Sequence, residues 1–320
     1  MIAARASLLL ALSACAAAPP PVAPPPPPPP VAVAPTPPSP VAPPAPPPPP
    51  PAPLAELELA AHHALFDALR GHDPKAVAAL YTPDASIDVG LVEVHGGDAV
   101  AALLTTLWSA FPDSRMQWGT FLPSGPTVAV ELAWTGTQTG PLAEHAPTKR
   151  VLGALAVMLE TFAPNGLIAS QQLFVDGDAF VVDLAARAGK PHAFAGLPTA
   201  QVEGVDHAVP RAEDVIAMQK VTAAFAGGSF KEVIALGDDE SVWVDETKRR
   251  TTTGKPAISA WGWSVSRAVA AGGALSFAVG DYVVAETGGA NARAVDVIAL
   301  AGGHVKSVHT YRRDVPKTKR

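Results

Sequence analysis

The chain is 320 residues long, carries a formal net charge of −6 and is 48% hydrophobic. Residues 1–53 hold a single charged side chain, Arg5, and 23 of the 36 prolines, while the remainder is long enough for two ordinary domains, each with its own core. The negative balance without a basic cluster excludes nucleic acid as the main partner, and one cysteine, Cys15, excludes internal disulfides, thiolate zinc sites and iron–sulfur clusters.

In residues 1–15, Arg5 precedes an apolar run, Ala6–Ala14, much shorter than the ~20 residues of a membrane-spanning helix. The run ends Leu12-Ser13-Ala14-Cys15 and resembles a bacterial lipobox. That resemblance implies a signal peptide over 1–15, lipidation of Cys15 and attachment to a membrane through that anchor. The alternative is an ordinary secretory signal with a chance cysteine. Ala16 follows Cys15 where an Asp would favour retention at the inner membrane, so the expected location is the cell envelope at the outer membrane. Residues 16–53 are almost all Pro, Ala and Val. Proline fixes φ and removes amide donors, so this linker reads as a polyproline II spacer. At ~3.1 Å per residue it reaches on the order of 100 Å. No basic residue flanks the prolines to orient a docking partner, which favours a spacer over a recognition segment.

After Leu54 the period becomes helical. Leu57, Ala61, Leu65 and Leu69 lie on one face, and Gly71-His72-Asp73-Pro74 ends the helix. A short helix is expected over 75–81, a strand over 85–91, a third helix over 98–111, and strands over 116–121, 127–135, 151–162 and 168–175. The second half repeats this order, with helices over 213–226, 230–236 and from Gly254 to 270. Its strands are expected over 241–245, 274–279, 282–286, 293–301 and 305–312. Gly96 and Gly254 occupy corresponding places, as do Gly166 and Gly303, which points to a divergent internal duplication. The expected domains are 54–188 and 210–315, joined by a connector over 189–209 and followed by a basic tail over 316–320. Helices followed by runs of strands define an α+β class and disfavour a doubly wound parallel sheet.

Four phrases in the first half sit in order: Phe111-Pro112-Asp113-Ser114-Arg115, Trp134-Thr135-Gly136-Thr137-Gln138-Thr139-Gly140, Pro147-Thr148-Lys149-Arg150 and Asn165-Gly166-Leu167-Ile168. They resemble the SnoaL-like polyketide cyclase family. The second half keeps only the general pattern of the wider nuclear transport factor 2-like superfamily, ending Gly303…Val308-His309-Thr310-Tyr311. The resemblance implies two tandem cone-shaped domains, each a curved antiparallel sheet packed on three helices and open at one end to an apolar pocket. It also implies either cofactor-free cyclase or isomerase chemistry or no catalysis at all, since the superfamily contains both.

Cyclases of this family use a pocket carboxylate as general acid and base; desolvation raises the pKa of such a group toward the working pH. The position that matches it is Asp176, which alternation places on the face of Gln172 and Phe174; in this reading Asp176 is the general base, and Gln172 and Gln138 orient a carbonyl. The competing reading puts Asp176-Gly177-Asp178 in a solvated turn, and Gln138 stands where the family has a proton-transferring histidine. Ligand binding without turnover is therefore the leading expectation, with a small apolar molecule or a protein partner as ligand. Trp108, Trp118, Trp134, Gln138, Gln172, Phe174, Trp243, His309 and Tyr311 are its candidate contacts. A structural role, with the two domains paired through their sheets or the chain paired as a homodimer, is the third alternative. The adjacent His62 and His63 point about 100° apart on a helix and make no i, i+4 metal pair, so solvation is expected for both. Trp261 and Trp263 are expected in the core. Lys248-Arg249-Arg250 reads as a solvated loop, and Arg312-Arg313 with Lys317–Arg320 as a frayed basic end. No metal or cofactor motif is present in a supporting context.

Overall fold

The protein is described by a computed structural model over residues 54–89, 92–175, 202–203, 211–227, 229–246, 250–272, 274–289 and 292–314. The first half runs α1 (Leu54–Arg70), α2 (Pro74–Ala78), β1 (Tyr81–Asp88), β2 (Glu93–His95), α3 (Gly97–Ala110), β3 (Arg115–Ser124), β4 (Thr127–Thr137), β5 (Val151–Phe162) and β6 (Ile168–Val175). A two-residue strand, β7 (Val202–Glu203), precedes the second half. That half runs α4 (Ala212–Phe225), α5 (Phe230–Ile234), β8 (Gly237–Asp245), β9 (Arg250–Thr253), α6 (Lys255–Gly272), β10 (Ala274–Val279), β11 (Tyr282–Gly289), β12 (Ala292–Ala301) and β13 (His304–Asp314).

One sheet has the order β2-β1-β6-β5-β4-β3-β7 and the other β9-β8-β13-β12-β11-β10. Apart from the added β7, the two orders are the same, and the α+β expectation of two cones holds. Each sheet is mixed, because β1 pairs in parallel with β6 and β8 with β13, and the short β7 also runs parallel to β3. The repeat extends to local geometry. Gly96 and Gly254 both have φ of 78° just before the third helix of their halves, a left-handed conformation that glycine adopts without steric cost. Gly96 donates to Ala85 and Gly254 to Ser241, each on the first strand of its half.

The short second helices start for chemical reasons visible in the chain. Asp73 caps α2 by accepting from the amides of Lys75 and Ala76 at 3.0 Å each, and Pro74 needs no amide partner at the first position. Ser229 caps α5 by accepting from Lys231 at 3.3 Å. The first core lies between α1 and the concave face of its sheet, where Leu65 and Phe66 meet Trp118 and Phe121. The second repeats that arrangement with Phe225, Phe230 and Trp261.

The outer faces of the two sheets pack on each other. Val157 and Phe174 of the first meet Val295 and Tyr311 of the second. Polar groups stitch this apolar seam. The Tyr311 hydroxyl donates to Glu131 Oε1 at 2.6 Å, Arg293 donates to Gln172 at 2.8 Å, and Arg313 pairs with Asp88 at 2.8 Å.

Several sequence expectations change. The second helix ends at Ala78, and Pro83 lies inside β1, which begins at Tyr81 rather than at residue 85. The β1–β6 register shifts between Tyr81 and Ser86, so the proline sits where the ladder is already interrupted. Arg250 opens an edge strand instead of a loop. His62 is fully buried, ringed by Phe66, Trp118 and Phe121 with centroids 4.7–4.9 Å away, rather than solvated. Trp263 is 64% exposed, whereas Trp261 is in the core. Arg312 and Arg313 belong to β13, and Arg313 is buried. Cys15, the proline-rich segment, Asp176 and Lys317–Arg320 lie outside the described residues.

Candidate functional site: an apolar cavity in the first cone

The first cone holds a cavity of about 220 Å³. Helix α3 lines it with Val100, Leu103, Leu104 and Leu107, the i, i+3, i+4, i+7 stripe of an amphipathic helix. Strand β5 contributes Ala154, Ala156 and Met158, and β6 contributes Gln171, Leu173 and Val175, alternate residues in each case. The two alanines leave the space that larger side chains would fill. Leu142 closes one side. Its loop is pinned to the end of α3, where the amides of Thr139 and Gly140 both donate to the Ala110 carbonyl at 3.0 Å. A Cβ on Gly140 would fall 2.2 Å from the Ser109 carbonyl oxygen, so only glycine fits this approach.

Two polar side chains interrupt the apolar wall, Tyr81 and Gln171. The Tyr81 hydroxyl donates to Gln171 Oε1 at 2.9 Å. Gln171 Nε2 in turn donates to Glu160 Oε1 at 3.0 Å and lies 2.6 Å from Met158 Sδ. Behind Glu160, its second oxygen is 3.9 Å from His62 Nδ1. Glu58 is buried in the same half, and both its oxygens lack a hydrogen-bond partner among the described residues. Burial first, then the charge of Glu160, pushes its pKa up to about 7. Burial and then the Glu160 charge also raise the Tyr81 pKa, so its hydroxyl stays protonated.

Of the sequence-selected residues, Trp134 lines this cavity, stacked edge to face on Phe111 at 4.9 Å. The others lie elsewhere. Trp118 packs against His62 in the core, and Trp108 stacks on His72 at 4.9 Å. Gln138 is buried beside the loop, accepting from Thr148 at 2.7 Å and donating to Ala146. Gln172 and Phe174 face the other sheet, not the cone: Arg293 bonds to Gln172, and the Arg293 and Arg313 guanidinium groups lie over the Phe174 ring at 5.4 and 4.8 Å. His309 and Tyr311 occupy the same seam. His309 Nδ1 is 3.3 Å from Glu246 and 3.7 Å from Glu131. Burial would lower its pKa, but its bond to Glu246 and the charges of Glu131 and Glu246 outweigh that and raise it. Missed by sequence reasoning were Tyr81, Gln171 and the α3 leucines. The leucine stripe carries a usable signal in its helical spacing; Tyr81 does not, because the spacing places it at the end of a short helix whereas it opens β1.

The second cone differs inside. Trp243 donates to Thr310 at 3.0 Å, and Thr310 donates to buried Asp296. Burial pushes the Asp296 pKa up to about 6 against the opposing bond from Thr310. Arg312 lies 3.5 Å from Asp245 at the same level. Among the described residues no His, Cys, Asp and Glu group has an arrangement able to hold a metal ion, and no helix is long and apolar enough to cross a membrane.

Residues 62–171, which include all of the cavity lining except Leu173 and Val175, match the model of the SnoaL-like domain. Over that stretch the first half is similar to a SnoaL-like domain. Solved structures similar to one half include a protein from Jannaschia sp. assigned to the SnoaL-like polyketide cyclases, at 23% identity and a TM-score of 0.38 over 43% of this chain and 96% of that one. IdmH from Streptomyces antibioticus, assigned as a polyketide cyclase, is 17% identical, with a TM-score of 0.36 over 40% and 99% of the two chains. A nuclear transport factor 2-like protein of unknown function from Burkholderia pseudomallei is 18% identical, with a TM-score of 0.36 over 41% and 98%. No curated protein matches the sequence.

Proposed function

We propose that this is a lipid-anchored protein of the bacterial cell envelope whose first cone takes up a small apolar molecule without converting it. The anchor and stalk rest on the lipobox at Cys15 and the proline-rich linker. The observation that carries the binding reading is the cavity of about 220 Å³, apolar except for Tyr81 and Gln171, which are bonded to each other. A cavity of roughly 150 Å³ with apolar walls holds benzene, so this one has room for one or two fused rings. Turnover by general acid–base chemistry needs an ionisable group on the wall. Among the described residues the wall offers only Tyr81, whose raised pKa and committed proton suit it poorly to that work.

The test is calorimetric titration of the mature chain with indene, a two-ring hydrocarbon. Saturable one-to-one binding is expected. Ala156→Phe, which places a ring in the cavity, should weaken it more than tenfold while the variant melts cooperatively. Indene binding that ignores this substitution, or fails to saturate, would remove the ligand-binding reading.

A further inference from the structure

The polar end of the cavity has a direction. Glu160 is fully buried and presents Oε1 to the Gln171 amide nitrogen at 3.0 Å. A carboxylate oxygen only accepts, so the amide is turned with its N–H toward Glu160 and its carbonyl toward Tyr81. The carbonyl then takes the single Tyr81 proton at 2.9 Å. The Gln171 nitrogen is further occupied by Met158 Sδ. Every donor in the chain Tyr81–Gln171–Glu160 is thus committed within the protein, and what this pair offers a molecule in the cavity is acceptor capacity alone, on the Tyr81 oxygen and on the second lone pair of Gln171 Oε1. Around the pair the wall is hydrocarbon, with Ile87, Leu132 and Leu173 among its members.

We infer that the cavity selects its ligand by a hydrogen-bond acceptor at the Tyr81–Gln171 pair, so that the ligand is a one- or two-ring apolar molecule bearing one donor, an alcohol, a phenol or a ring N–H. This rests on the apolar-ligand reading above and narrows it to a chemical class. A ligand whose only polar atom is a carbonyl would bring that oxygen against the Tyr81 lone pair and lose its water without replacement, which costs affinity. A donor exchanges its bond to water for one to this pair.

Three probes of nearly equal size separate the cases on the mature chain: indole with a donor, 1-indanone with an acceptor, and indene with neither. Indole is expected to bind about fivefold or more tighter than 1-indanone, the size of one net hydrogen bond. Gln171→Met keeps the volume and releases the Tyr81 proton; 1-indanone should then gain affinity and close to within about twofold of indole. If 1-indanone binds the native protein as tightly as indole, the acceptor assignment is overturned while indene binding still supports the cavity reading. If none of the three binds, both fall. The order in the native protein decides the matter even if the variant does not fold.

Discussion

Leu173 pairs with Met158 inside the first cone, and Thr310 pairs with Asp296 at the matching place in the second. Ile87, opposite Gln171, has Trp243, opposite Val308, as its counterpart. Counted from Gly96 and Gly254, Leu103 of α3 corresponds to Trp261 of α6. The first set lines an open cavity, whereas Trp243 and Trp261 belong to a packed core and Asp296 with Thr310 to a buried polar pair. One strand order therefore supports both a cone with an apolar cavity and one whose matching positions carry packed tryptophans and a polar pair. What differs is side-chain volume at a few inward positions, and the seam between the sheets ties the two outcomes together.

The largest effect is expected at that seam. Phe174 is fully buried between the sheets under two guanidinium groups. Phe174→Ala should cost about 3–5 kcal/mol, the usual range for a buried phenylalanine. Because its ring faces away from the cavity, indene affinity in the folded variant should change less than about threefold. A variant that keeps its stability and loses indene would invert the assignment of faces. Denaturant unfolding and calorimetry on the same sample check both halves of this expectation.

A second difference separates the cone interiors by pH. Asp296 is fully buried with a folded-state pKa of about 6 against an ordinary 3.8. A raised pKa means that the folded state holds its proton longer than the unfolded state. The associated stability is fully present below 3.8, declines as pH rises and is gone above about 6. The span corresponds to on the order of 3 kcal/mol. Asp296→Asn keeps an acceptor for Thr310 and cannot ionise, so it should be more stable than the native chain at pH 7 by that order and lose the dependence between pH 4 and 6. Glu58 moves in the same direction between 4.5 and about 7, so the difference between variant and native, rather than either curve alone, isolates Asp296. Urea midpoints at pH 4, 5, 6 and 7 supply the comparison.

The element order of both halves was legible because helical and alternating periods survive divergence, and β5 and β6 start and stop where the pattern does. The choice of face was not. Strand β4 is buried over seven consecutive residues, from Val128 to Trp134, since the cone covers one side and the second sheet the other. A strand covered on both sides loses the alternation that marks inward positions. Strand β6 reads Leu173-Phe174, two apolar neighbours pointing opposite ways, and no local signal says which meets the cavity. Polar residues on the seam, Gln172 and His309 above all, then mimic pocket residues. Their partners, Arg293 at 121 residues' separation and Glu131 on another sheet, are set by tertiary contact alone. The edge strands β2 and β9 have three and four residues, too short for any period to show.

The smallest effect probes the asymmetry of the seam itself. Phe174 and Tyr311 occupy matching places, opposite Val157 and Val295, and only Tyr311 carries a hydroxyl, which donates to Glu131. Tyr311→Phe makes the seam symmetric in shape and removes one bond to a buried acid, a change of about 1–2 kcal/mol. Glu131 keeps Thr120 at 2.7 Å and has His309 nearby at 3.7 Å. The His309 pKa is raised above 6.5, so its favourable charge is fully present below that value and is lost as pH climbs through the folded-state value. With the hydroxyl gone, charged His309 is still a cation 3.7 Å from Glu131. The cost of Tyr311→Phe should therefore be smaller at pH 6 than at pH 9, and adding His309→Gln should erase that difference. A cost that is the same at both pH values would mean that His309 answers to Glu246, at 3.3 Å, and leaves Glu131 to its hydroxyl partners.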